Sequence, residues 1–355
     1  MRVLFVPHVP AIHIINRVYE FALGTDGYFL IWELENHTLW AKITSQLRSL
    51  FRLISLKNEL MQVPLLFKPQ KLAVQWNTLM LNRAVKKYQI DIVVNANALL
   101  FDVSKISVPV IYDLVDDHLE INRALGLTAS RIEKIKKDIR NAKGVVCVTE
   151  QLEQKAKQLN PCTVTIENGL YLDRFSASRS LKKALGIEGK KVYGYIGGVE
   201  AWTGIDKACE AYLKIRNDST AMIVVGNSES MFFRSLKQTY RDAIYFVGAV
   251  PPSEVGNYFK SIDVGMIPFV LNDFTHNALP IKALEYGLAG AQVVSTPLRA
   301  LEAKQFPFVH FASIEMFDRV MQSLEREEMT FDFTAYSWEK QSEKLMMFVK
   351  ECANG

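Results

Sequence analysis

The chain has 355 residues, 49% of them hydrophobic and 23% charged, with a net charge of +4. It is long enough for two globular domains, and this composition excludes a disordered or strongly nucleic-acid-seeking protein. Four scattered cysteines (Cys147, Cys162, Cys209, Cys352) form no Cys-x-x-Cys pair, and no run of 18 apolar residues occurs. A zinc site, a disulfide framework and a membrane-spanning helix are therefore not expected.

In chain order, short apolar runs at residues 3–6, 28–32, 92–95, 110–112, 145–148 and 163–166 read as strands. Helical periodicity lies between them, notably at 71–88 and 130–141. This is the βαβ pattern of a parallel sheet with helices on both faces. The N-terminus runs straight into its first strand with no basic-then-apolar leader, and a cytoplasmic protein is expected. The stretch from Thr38 to Leu60 has apolar residues at helical spacing. It carries Lys42, Arg48, Arg52 and Lys57 with no acid from Lys42 to Lys57. It reads as a basic amphipathic helix, either core-facing or lying on a membrane surface at the inner face of the cell membrane.

The polar stretch 173–189 reads as a linker, dividing the chain into domains at 1–175 and 176–333, with a final helix over 334–355. The strand pattern then repeats at 191–196, 222–225, 244–246, 264–267, 293–295 and 308–311. The fold class is α/β, with two doubly wound, Rossmann-like domains.

Three places carry candidate chemistry. Gly197 and Gly198 end a strand and allow a phosphate-tolerant turn, without the G-x-G-x-x-G fingerprint of a dinucleotide site. Gly226 and Val250 close the next two strands. The second place is the loop and helix from Asn272 to Ser295. Pro280 suits the first turn of a helix, and the amides of Asn277, Ala278, Leu279 and Ile281 would offer an anion site. Lys282 and Glu285 share a helical face. A diphosphate at the helix start and a ribose at Glu285 suit a nucleotide-sugar. The third place is Asp113-Leu114-Val115-Asp116-Asp117-His118, after a strand: a proton acceptor, a metal-ligand set or a solvated helix-capping turn.

The segment Pro280-x-Lys282-x-x-Glu285-Tyr286-x-x-Ala289-Gly290-x-x-Val293-Val294-Ser295 resembles the donor-site segment of GT-B glycosyltransferases of the family-four type. Among these it is similar to bacterial enzymes of surface-polysaccharide assembly, such as the teichuronic-acid group. The resemblance implies two domains facing a cleft, with the last helix crossing back to the first domain. It implies sugar transfer from a nucleotide-diphosphate sugar, UDP- or GDP-linked, to a hydroxyl of a glycan or lipid-linked acceptor. No cofactor, metal or nucleic acid is implied. Asp116 or Asp117 would be the base, and Lys282 would stabilise the leaving diphosphate. Backbone groups near Val250 would read the nucleotide base. His8, His13 and His118 would meet the acceptor.

Two departures from the family stand out. The usual Arg and Lys after the Gly197 turn are missing, leaving Lys207 as the basic residue there, with Arg299 a second candidate. The first of two glutamates spaced eight apart is Asn277. The rivals are a nucleotide-sugar 2-epimerase on the same fold, a catalytically degenerate partner-binding subunit, and, more distantly, a nicotinamide enzyme.

Overall fold

The computed structural model describes residues 1–7, 17–25, 27–31, 60–62, 70–97, 99–120, 128–227, 230–327 and 330–354. His8, His13 and the basic stretch up to residue 59 lie outside the described residues. The chain forms two compact units, Met1–Gly169 with Trp338–Gly355, and Leu170–Ser337. Among the described residues no helix is long and apolar enough to cross a membrane.

The first unit is built from β1 (Val3–Val6), α1 (Arg17–Gly24), β2 (Tyr28–Ile31), β3 (Leu60–Gln62), α2 (Gln70–Tyr88), β4 (Ile92–Asn95), β5 (Val110–Leu114), α3 (Ala129–Asn141), β6 (Gly144–Cys147), α4 (Glu150–Lys157) and β7 (Thr163–Thr165). Its seven strands run parallel in the order β3-β2-β1-β4-β5-β6-β7. Leu60, expected at the end of a helix, instead opens β3 and pairs with Phe29. β1, β4 and β5 are buried along their whole length. That is why they appear as continuous apolar runs rather than alternating ones.

The second unit contains α5 (Leu172–Ser176), β8 (Lys191–Ile196), α6 (Ile205–Ile215), β9 (Thr220–Val225), α7 (Met231–Tyr240), β10 (Tyr245–Gly248), α8 (Val255–Ser261), β11 (Val264–Ile267), α9 (Asp273–His276), α10 (Lys282–Leu288), β12 (Gln292–Ser295), α11 (Arg299–Glu302), β13 (Val309–Phe311) and α12 (Phe317–Ser323). Six parallel strands run β10-β9-β8-β11-β12-β13. The period of two sorts β8 between two cores. Val192 and Ile196 join one cluster, with Phe259 and Leu284; Tyr193 and Tyr195 join the other, with Ile205 and Phe317. Each such fully buried side chain contributes roughly 1.5–3 kcal/mol.

The unit boundary falls at Gly169, six residues before the expected one. α5 belongs to the second unit because Phe175 packs on Phe259, ring centroids 5.5 Å apart. The last helix, α13 (Trp338–Asn354), belongs to the first unit. It packs on α1, with Phe21 and Trp338 edge-on at 5.6 Å, and Cys352 and Phe348 sit over Gly144.

Candidate functional site

The C-terminal end of β8 gathers the second unit's candidate residues. Gly197 adopts φ +139°, a conformation reserved for glycine. A Cβ there would stand 2.6 Å from the Lys282 Nζ, so the ammonium rests directly against the Gly197 backbone. Gly226, at the end of β9 with φ +135°, lies so close to the Gly197 carbonyl oxygen that a Cβ would overlap it. The Gly197 amide donates to Val225 O at 2.9 Å, tying the two strand ends together.

The Lys282 ammonium sits 4.1 Å from the Tyr195 ring centroid and 5.3 Å from that of Phe269. It forms no ion pair with any described residue. Two aromatic faces hold the cation without neutralising it. The Tyr195 hydroxyl donates to Gly198 O at 2.7 Å, so one side chain fixes both the lysine and the turn.

Tyr286, one residue after Glu285, explains why α10 sits where it does. β11 pairs with β8 only at Val264–Tyr193 and Gly265–Gly194. Beyond that point the phenol replaces the missing strand. Its oxygen accepts from the Ile196 amide at 3.0 Å and its hydrogen goes to Gly194 O at 3.1 Å. Gly265 has no side chain because the Tyr286 ring lies flush against it. Burial pushes the phenol well above its ordinary pKa, so it stays a donor.

The helix start is arranged differently from the expectation. Ile281 is the cap residue of α10 and Pro280 precedes it; Pro280 O accepts from the Ala283 amide. The Asn277 and Ala278 amides are already committed, to Phe274 O and Thr275 O. The Asn277 side chain donates to Asp273 O at 2.8 Å, closing α9. The amides of Leu279, Ile281 and Lys282 have no acceptor among the described residues, so the open donors are these three. Glu285 is buried one turn into α10, and Val250 packs half-buried on the same core as Leu279 and Ile281. The Arg299 guanidinium stands 3.9 Å from Asp273 rather than at the lysine.

In the first unit the acids after β5 separate by role. Asp113 is buried and takes both oxygens to Arg17 Nε at 3.1 Å. Arg17 also donates to Ile166 O at 2.6 Å, stitching α1 to β5 and to the end of β7. Asp117 is buried and ion-paired with Lys155 at 2.7 Å, and it accepts from the Leu119 amide. Asp116 stands between them with its residue exposed. The protein packed round its carboxyl, and then the Asp117 charge, push its pKa up to about 7. The side chain's exposure lets water screen part of that rise. His118 is half-buried and its amide donates to Asp116 O. Among the described residues no three acidic, histidine or cysteine side chains converge as a metal site.

A concavity of about 570 Å³ lies at the opposite, N-terminal ends of β8–β10, lined by Lys190, Tyr212, Arg216, Thr220, Arg241 and Tyr245. It contains none of the candidate residues. Arg216 and Arg241 follow the C-terminal ends of α6 and α7, where cations offset the helix dipole. The candidate site is therefore placed at the glycine turn.

Tyr195, Tyr286, Phe269 and Arg17 escape a reading of the sequence as site residues. A tyrosine in an apolar strand signals core, and only its hydroxyl's partners reveal the bridge.

Residues 190–306 match the family described as Glycosyl transferases group 1. TuaH of Bacillus subtilis strain 168, whose name assigns it provisionally as a teichuronic acid biosynthesis glycosyltransferase, is 27% identical over 179 residues. That match covers 48% of this chain and 45% of TuaH, about half of each. Anabaena HepE, solved with UDP-glucose, superposes with a TM-score of 0.66 at 13% identity, over 100% of this chain and 98% of that one. Sucrose-phosphate synthase from Thermosynechococcus elongatus gives 0.68 at 12% identity, over 99% and 98%. The chain thus has the GT-B fold, and its second unit carries the match to the group 1 glycosyltransferases.

Proposed function

We propose that the protein is a glycosyltransferase of polysaccharide biosynthesis. It moves a sugar from a nucleotide-diphosphate sugar to a hydroxyl of a glycan or lipid-linked acceptor. One observation carries this reading: the Lys282 ammonium, without an ion-pair partner among the described residues, rests on the Gly197 backbone, and the amides of Leu279, Ile281 and Lys282 on its own segment are open. A cation and open donors on one short segment are what a leaving diphosphate requires. The segment that builds this site lies within the group 1 match. HepE, of the same fold, was solved with UDP-glucose, which makes UDP the first nucleotide to test.

The residues have distinct tasks. Lys282 and the three amides take the charge that develops on the leaving phosphate oxygen. Glu285 accepts hydrogen bonds from the ribose. Asp116, kept partly protonated near neutrality, takes the acceptor hydroxyl's proton as that oxygen attacks. Asp117 holds Lys155 and shapes the turn. The protein is cytoplasmic and needs no cofactor. The basic stretch before β3, with Lys42, Arg48, Arg52 and Lys57, is the part of the chain suited to an anionic membrane surface carrying a lipid-linked acceptor.

Isothermal titration with UDP, GDP and TDP tests the site. One of them binds the wild type, and Lys282→Ala weakens it by at least tenfold with an unchanged melting curve. Equal affinity in Lys282→Ala removes the lysine from the site. Donor incubated without acceptor stays unchanged; conversion to its 2-epimer would favour the epimerase.

A further inference from the structure

We infer that Trp202 is the stacking wall of a sugar subsite beside the Lys282 site. It sets which nucleotide-sugars gain affinity from their sugar. The inference rests on the reading of Lys282 as the diphosphate site and adds to it the face that holds the transferred pyranose.

Four observations converge. Trp202 lies in the short helical turn that follows the Gly197–Gly198 turn, yet 43% of it is exposed. Val270, whose amide meets the Trp202 carbonyl, and its neighbour Leu271 are exposed as well, so the indole belongs to an apolar group rather than standing as a lone exposed side chain. The Trp202 backbone is tied to the strand-end loop, the carbonyl accepting from the Val270 amide at 3.1 Å. Phe269 and Phe274 meet its ring at 5.0 and 6.2 Å, at 65° and 89°. Finally, Phe269 is the same ring that lies 5.3 Å from the Lys282 ammonium. The Phe269 ring therefore touches both the indole and the cation, so a sugar attached to a diphosphate at Lys282 has the indole as a near neighbour.

The chemistry of the rim favours a sugar over an acyl chain. Val270 and Leu271, which follow Phe269 in the chain, are both exposed. Next to them stand Asp273 and Arg299, with side chains 78% and 62% exposed and 3.9 Å apart. Inserting this edge into hydrocarbon would desolvate both charges. A pyranose instead offers C–H groups to the negative face of the indole and hydroxyls to Asp273 and Arg299.

The test compares wild type with Trp202→Ala and Trp202→Phe by titration. Whichever of UDP, GDP and TDP binds is used alone and as its glucose, galactose, glucuronate and N-acetylglucosamine conjugates. The expected result is that at least one conjugate binds the wild type more tightly than the bare nucleotide. Trp202→Ala reduces that advantage about tenfold, Trp202→Phe keeps part of it, and the bare nucleotide's affinity is unchanged. Tryptophan emission shifts on adding that conjugate and not the nucleotide alone, and the shift is absent in Trp202→Phe. The inference is overturned if no conjugate exceeds the nucleotide, or if the advantage survives in Trp202→Ala. Loss of binding to anionic phospholipid vesicles, with the sugar advantage intact, would overturn it in favour of a membrane contact. Failure of every bare nucleotide to bind the wild type removes the diphosphate reading itself, and that arm is read first.

Discussion

Tyr286→Phe separates the phenol's role from that of its ring. The ring remains against Gly265 and the substitution opens no cavity beyond one oxygen. Two groups on β8 lose their partner: the Ile196 amide, bonded at 3.0 Å, and Gly194 O, bonded at 3.1 Å. The strand is buried there and β11 no longer reaches it. An orphaned buried donor costs about 1–3 kcal/mol, and the acceptor adds less, giving about 2–4 kcal/mol in all. For a unit of this size that lowers Tm by roughly 5–12 °C. Ile196 also adjoins Gly197, against which the Lys282 ammonium rests, so nucleotide affinity should fall by about threefold to tenfold. Calorimetry gives the first number and titration the second. Because burial holds the phenol well above its ordinary pKa, both losses stay constant across the neutral range. A Tm within 1 °C of wild type, at unchanged affinity, would refute the bridge.

Three further outcomes follow from the first unit. Arg17→Met leaves the Asp113 carboxylate buried without its cation and should cost about 3–5 kcal/mol in urea unfolding. Adding Asp113→Asn should recover part of that loss, and no recovery would count against the pair. Asp116, raised from 3.8 to about 7, binds its proton more tightly in the folded chain than in the unfolded one. Stability should therefore decline as pH rises between those values, and Asp116→Asn should flatten the decline. With Asp116 as the base, kcat/KM rises through about pH 7 in the wild type. An identical pH profile in Asp116→Asn would exclude it.

Much of the fold is legible because these sheets are buried on both faces. Val3–Val6, Ile92–Asn95, Lys191–Ile196 and Val264–Ile267 are continuous or nearly continuous apolar runs, each preceded by a charged residue. β3, at Leu60–Gln62, was hidden because three residues cannot show a period, and the helical spacing before it runs into it. In the second unit, Gly197, Gly226 and Lys282 are conspicuous as residue types, and the fold brings them together. The helix starts at Lys282, two residues after Pro280, because proline suits both the first turn and the position before the cap. Nor could the sequence tell Asp116 from Asp117. What distinguishes them is Lys155, 38 residues away on α4.

The return of α13 to the first unit sets an order of events during synthesis. The ribosome has delivered all of that unit's sheet by Gly169, but the helix that covers α1, Gly144 and Gly169 begins only at Trp338. At about 5–20 residues per second the gap lasts roughly 10–30 s. Throughout that interval Phe21 and the apolar face of the nascent unit lack their lid. The second unit, contiguous from Leu170 to Ser337, can complete its own core meanwhile. The domain that begins first therefore finishes last, and a fragment ending at the first boundary lacks a piece of its own core. The nascent chain is exposed to aggregation and chaperone capture mainly through its N-terminal half.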